Sequence, residues 1–225
     1  NFRRSISTRT ALVDQSKGKA LLENAYRIST PEDNVRYYAA VADRYDTDFA
    51  EGLGWTYPRS IAKVFREAAE PGDVPIADIG CGTGAVAAEL GLPPNQIDGM
   101  DISAEMLDLA RTKRLYGSLY EIDLTGDLST IAKGYGALLS AGTFTHGHLG
   151  PEILSRLPSI CRPGALFVIG VNKVHYEALN FAAVLAAMVR DGRIGEARSS
   201  EIKMYDKEGH AHSDDLALIL RYRSR

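Results

Sequence analysis

Cysteine is scarce in this chain: its 225 residues include two, Cys81 and Cys161. They make no disulfide framework of the kind small secreted domains use, and no thiol cluster able to ligate zinc or an iron–sulfur centre. Tryptophan occurs once, at Trp55. No apolar run approaches the roughly 20 residues that a membrane-spanning helix needs, so no membrane partner is expected. Neither sign of charge dominates, 26 basic against 29 acidic residues giving a net −3. That balance supplies no general attraction to nucleic acid or anionic lipid, and no basic, aromatic-interleaved stretch suggests a nucleic-acid partner. Internal repeats and low-complexity tracts are missing too. The opening Asn1–Val13 carries Arg3, Arg4 and Arg9 with no acid before Asp14. Its composition resembles a transit segment, but so short a stretch reads better as a polar arm on a cytoplasmic protein.

What is present is one α/β-sized core, 45% hydrophobic, behind an N-terminal extension. The expected division is a helical cap over 1–72 and a ligand-binding core over 73–225. The core turns on Ile76-Ala77-Asp78-Ile79-Gly80-Cys81-Gly82-Thr83-Gly84, followed by Ala85–Leu90. A buried strand, a tight turn and a helix fit this pattern. Gly80, Gly82 and Gly84 can take positive φ and hold no Cβ between backbone and ligand. Such a turn at the carboxyl edge of a parallel sheet is where nucleotide-like ligands bind.

The glycine spacing alone leaves two ligands open. Gly80, Gly82 and Ala85 also satisfy G-x-G-x-x-G/A, the dinucleotide pattern, which keeps a nicotinamide oxidoreductase as an alternative. Gly84 is an extra glycine there, and Asp78 would repel a pyrophosphate while welcoming an ammonium group. Asp101 ends a second strand-like run about 20 positions past the first glycine, where a carboxylate accepts from a ribose diol. Asp123 ends a third such run, where an exocyclic amine can donate to it.

Together these residues resemble the class I S-adenosylmethionine-dependent methyltransferases, over roughly residues 35 to 225. The resemblance rests on D-x-G-x-G-x-G at 78–84, Asp101 and Asp123. Among subgroups, the chain is most similar to the Williams–Beuren-region methyltransferase-like proteins, through Tyr38–Asp46, Gly82–Leu90 and Gly142–His148. Ala39 and Val41 depart from the subgroup's Asp and Trp, implying a differently shaped cap. The resemblance implies a Rossmann-like, doubly wound, seven-stranded sheet, mostly parallel with the last strand antiparallel, and S-adenosylmethionine as cofactor. Radical use of that cofactor is excluded by the lack of an iron–sulfur cluster motif. The implied cofactor-binding set is Asp78, Gly80, Cys81, Gly82, Gly84, Asp101, Ile102, Met106, Asp123, Leu124 and Ala141, closed over by Tyr38, Tyr45 and Trp55.

Along the chain, helices are expected over Ala11–Ala25, from Thr30-Pro31, and from Pro58. Ser103 caps a further helix. Gly136–Gly142 reads as a fourth strand, 151–162 as a helix containing Cys161, Ala165–Gly170 as a fifth strand and Glu177–Arg190 as one apolar helix. Ser199–Tyr205 and Leu216–Tyr222 read as a closing antiparallel hairpin. Candidate bases are His146 and His148, since neutral imidazole takes a proton near physiological pH. His210 and His212 lack a third ligand, so no metal site is expected. The N/D-P-P-Y signature of base or glutamine amino methylation is missing at Ser140–Thr143. A small-molecule acceptor is therefore expected, ahead of an exposed protein group, on a monomer or homodimer. A non-catalytic S-adenosylmethionine-binding module is the alternative.

Overall fold

Four consecutive buried residues, Ile76–Ile79, form β1 at the centre of the sheet. The computed structural model describes residues 17–25, 27–28, 30–131 and 134–225. The arm at 1–13 and the start of the first expected helix lie outside them. Helix is present over 17–25 (α1). Pro31–Arg44 (α2) follows, with the Thr30 hydroxyl accepting from the Asp33 N–H at 3.1 Å. The chain then makes a π-helical segment, Tyr45–Glu51, before Tyr57–Ala68 (α3).

The strands are β1, Ile97–Asp101 (β2), Leu119–Glu121 (β3), Tyr135–Phe144 (β4), Cys161–Asn172 (β5), Arg198–Lys203 (β6) and Leu216–Arg223 (β7). Their order across the sheet is β3-β2-β1-β4-β5-β7-β6. The first five are parallel; β7 runs antiparallel to β5, and β6 antiparallel to β7. Between them lie Ala85–Leu90 (α4), Ala104–Lys113 (α5), Lys173–Ala178 (α6) and Phe181–Arg190 (α7).

Successive strand side chains point to opposite faces, and the core divides accordingly. Ile76, Leu139 and Val168 pack with α2, α3, α4 and α5. Ala77, Leu138 and Phe167 pack with α7 and the segment 149–160. Leu53 and Tyr45 of the N-terminal region belong to the same apolar cluster as Ile76 and Val86. Arg223 on β7 clasps buried Asp73 ahead of β1 at 2.8 and 2.9 Å. Burial would raise the Asp73 carboxyl, but the guanidinium and the Glu70 N–H outweigh it and lower the pKa.

Two expected elements differ. The 151–162 helix is instead two 3₁₀ turns, Pro151–Ser155 and Leu157–Ile160, and Cys161 opens β5. Pro158 removes a backbone donor and resists a continuous helix. The single helix at Glu177–Arg190 is α6 and α7, parted at Asn180, whose φ of 52° is left-handed. Apolar spacing does not register that break, because Phe181 stays on the buried face.

Candidate functional site

The strand order lays out one cleft along the carboxyl edge of the sheet. Walking from β3 through β2 and β1 to β4, it meets Asp123 and Leu124, then Asp101, then the glycine turn, then Ala141–Thr143. At about 4.8 Å per strand this walk covers about 14 Å, close to the span of a nucleoside bearing an amino-acid arm. The empty space of the cleft, with the open solvent at its mouth included, is about 970 Å³.

The glycine turn is braced on all sides. The Cys81 N–H donates to the Met100 carbonyl at 3.0 Å, pinning the turn to β2. Gly80 has φ +62°, and a Cβ there would lie 1.9 Å from the Thr143 hydroxyl of β4. At Gly82, φ +52°, a Cβ would stand 3.3 Å from the Met106 methyl and narrow the cleft. The Gly82 N–H donates to Asp101 Oδ2 at 2.8 Å, and the Ser103 N–H to Oδ1 at 2.9 Å. The Ile102 N–H also bonds to this carboxylate, whose roughly four acceptor positions leave room for a ligand hydroxyl. Burial raises the Asp101 pKa against these backbone donors.

Asp123 Oδ1 accepts from the Thr125 N–H and hydroxyl at 2.8 and 2.7 Å, so Oδ2 is the oxygen left for a ligand. The loop beyond it is gripped by Arg156, which donates to the carbonyls of Thr125, at 2.7 Å, and Gly126. Ile102, Met106, Ile122 and Leu124 supply apolar walls between the two acids.

The cap closes the opposite side. Tyr38 and Tyr45 meet edge to face at 5.8 Å, Tyr45 stacks on Phe49 at 4.8 Å, and Trp55 packs at the end of β4. Gly142 is required there, since a Cβ would come 2.9 Å from the indole and φ is +81°. Asp46 ties the cap to the turn: Thr83 donates its hydroxyl to Asp46, which also pairs with Lys113. On the far side a Cβ at Gly147, φ +76°, would strike the Ile28 carbonyl at 1.9 Å.

Of the residues singled out from sequence, Tyr38, Tyr45, Trp55, Gly80, Cys81, Gly82, Asp101, Ile102, Met106, Asp123, Leu124, Ala141 and His148 line this one cleft. Asp78, Gly84 and His146 do not. Asp78 lies behind the turn, fully buried, accepting from the Tyr116 hydroxyl at 2.7 Å while Oδ1 has no partner. Burial pushes its pKa up to about 7, and through Tyr116 it braces the turn from beneath. Gly84 packs on Tyr116, and His146 is exposed. His148 lines the cleft with both ring nitrogens buried and unpartnered. Burial, then the neighbouring His175 and His146, push its pKa down to about 4. It stays neutral at physiological pH and is a weak base there.

Sequence reasoning missed Asn34, Thr83, Thr125 and Thr143 on the cleft wall, and the Tyr116 and Arg156 braces behind it. The Thr83 position inside the glycine turn was a usable signal; the braces, remote in sequence, left none. Among the described residues no group of three or more His, Cys, Asp or Glu is placed to hold a metal, and no helix is long and apolar enough to cross a membrane.

Comparison with known proteins points one way. A family model described as a methyltransferase domain matches residues 76–164. Methyltransferase-like protein 27 of Homo sapiens is 30% identical over 173 residues, covering 75% of this chain and 69% of that protein. Among solved structures, a TehB-like SAM-dependent methyltransferase from Corynebacterium glutamicum aligns with a TM-score of 0.54 at 20% identity, covering 75% of this chain and 88% of its own. Magnesium protoporphyrin IX methyltransferase from Synechocystis, with bound SAM, aligns at 0.52 and 16% identity, over 74% of this chain and 78% of that one.

Proposed function

The chain belongs to the class I S-adenosylmethionine-dependent methyltransferases, and from that premise we propose that it methylates a small molecule by in-line displacement. The carrying observation is that Asp101 and Asp123, at successive strand tips, share one cleft with the glycine turn and the end of β4. When bound, S-adenosylmethionine supplies a sulfonium methyl carbon; transfer breaks its C–S bond, leaves a thioether, and sends the acceptor's proton to solvent.

Every other role falls to the protein's own residues. Asp101 accepts from the ribose hydroxyls and Asp123 from the adenine amine. Ile102, Met106, Ile122 and Leu124 sandwich the base. Gly80 and Gly82 let the amino-acid arm lie against bare backbone, a fit that a Cβ at Gly82 would spoil. The cap, taken as the segment before residue 73, excludes water through Tyr38, Tyr45 and Trp55. An enclosed, correctly oriented pair of reactants accounts for much of the acceleration such a reaction needs. No strong general base is required where the acceptor reacts as a neutral nucleophile. Its place beside the Williams–Beuren-region subgroup rests on the sequence motifs Tyr38–Asp46, Gly82–Leu90 and Gly142–His148.

Asp101→Asn tests the assignment by titration with S-adenosylhomocysteine. Wild type should bind, and the variant should lose about tenfold or more in affinity, or about 1.4 kcal/mol. An unchanged dissociation constant would place the ribose elsewhere. A non-catalytic binding module gives the same titration but no turnover of S-adenosylmethionine with any acceptor.

A further inference from the structure

We propose that the acceptor is an uncharged molecule with a flat apolar body, lying against Tyr38 and Trp55 and hydrogen-bonded through its hydroxyl or amine to the His148 ring. This deepens the methyltransferase reading and rests on it.

Charge is the first ground. The charged side chains on the cleft wall are Asp101 and Asp123, both carboxylates; among the described lining residues there is no Lys or Arg. Near the cap, Lys113 pairs with Asp46 and Arg36 with Asp33, and neither these nor Arg44 lines the cleft. A carboxylate or phosphate on the acceptor would enter a low-dielectric cleft beside two acids, with no side-chain counter-charge to receive it.

His148 is the second ground. Both its ring nitrogens are buried without a hydrogen-bond partner, which costs about 1–3 kcal/mol per unsatisfied group. Among the described residues, its histidine neighbours do not relieve this. The His175 Nε2–H is spent on the Leu149 carbonyl at 2.9 Å, and His146 faces solvent. Among the described residues, the cap ring beside it is Tyr38, 5.8 Å away between centroids. A neutral imidazole offers one donor and one acceptor. That matches a hydroxyl or amine, which can both give and take; a carboxylate can only take.

Shape is the third. Trp55 meets Gly142 closely enough to exclude a Cβ, and Tyr38, Tyr45 and Trp55 form a continuous aromatic wall. Such a wall suits a planar ring rather than a long hydrated chain. A protonated amine has no lone pair, either to accept from the imidazole N–H or to receive a methyl group, so the uncharged form is the one bound for reaction.

The test uses the full chain saturated with S-adenosylhomocysteine, probed at pH 7 with phenol, aniline, benzoate, phenyl phosphate and benzylamine by ligand-observed NMR titration. Saturation with S-adenosylhomocysteine is measured first; its failure would sink the methyltransferase reading itself, not this one. Phenol and aniline should bind, with benzoate and phenyl phosphate weaker by about tenfold or more. His148→Gln, neutral and able to give and take, should hold phenol within about threefold of wild type, while His148→Phe loses about tenfold. The proposal is overturned by an anionic probe or benzylamine binding as tightly as phenol. It is equally overturned by His148→Phe matching wild type, by either variant losing S-adenosylhomocysteine as well, or by no probe binding at about 10 mM. The probe series needs no variant, so a misfolded His148→Phe leaves the charge comparison decisive.

Discussion

Asp78 and His148 are buried titratable residues pushed in opposite directions, and their pH signatures differ accordingly. The Asp78 pKa is raised to about 7 by burial, against the Tyr116 hydrogen bond and with Asp101 adding repulsion. An unfolded carboxyl titrates near 4. The folded state therefore holds this proton more tightly. Its stabilising contribution is full below about pH 4 and is lost as pH rises through about 7. Asp78→Asn, which still accepts from Tyr116, should match wild type near pH 4.5 and exceed it by a few kcal/mol at pH 8. Urea unfolding at both pH values reads this, and parallel curves would show that Asp78 is ionised at no cost. His148, lowered to about 4, runs the other way: its contribution is present above about 6.5 and is lost as pH falls through about 4. The identity of these residues stood out in the sequence, but their orientation did not. Nothing in D-x-G-x-G-x-G tells whether the acid faces the ligand or, as here, a tyrosine 38 positions downstream.

Among elements, the loop after β3 is held in place by a residue from the first 3₁₀ turn region, Arg156, through backbone carbonyls. Removing that charge should loosen the adenine wall without touching either acid. Arg156→Gln is expected to raise the S-adenosylhomocysteine dissociation constant by about tenfold, each lost charge-assisted bond being worth about 1.5–3 kcal/mol before solvent replaces it. Calorimetric titration measures it, and wild-type affinity in the variant would mean the loop keeps its shape unaided. The sequence made the strands of the sheet centre and the caps at Thr30 and Ser103 readable, because burial and capping are local signals. It hid the 3₁₀ turns and the kink at Asn180, since both preserve the apolar pattern while changing only the backbone path. The π-helical stretch at Tyr45–Glu51 was equally silent; its register is set by packing Phe49 and Tyr45 against Trp55 and Tyr205.

For the whole molecule, the shared apolar cluster predicts that cap and sheet unfold together. Trp55, the sole tryptophan, reports on the cap, while far-ultraviolet circular dichroism reports on the entire chain. Their urea transitions should coincide. Leu53→Ala, at a fully buried cap position, should shift both equally, by about 2–5 kcal/mol. A tryptophan transition that moves alone would reveal a cap folding independently.

The succession of strand tips along the cleft has one more consequence. The proposed donor grip draws mainly on a single continuous tract, positions 80–125, whereas the far end is assembled from two others, 34–55 and 141–149. On the proposed reading, what the molecule modifies and what it modifies with are written at separate addresses. A lineage can redraft the two short tracts, and so take up a new client, while the tract that holds the common reagent passes on unaltered.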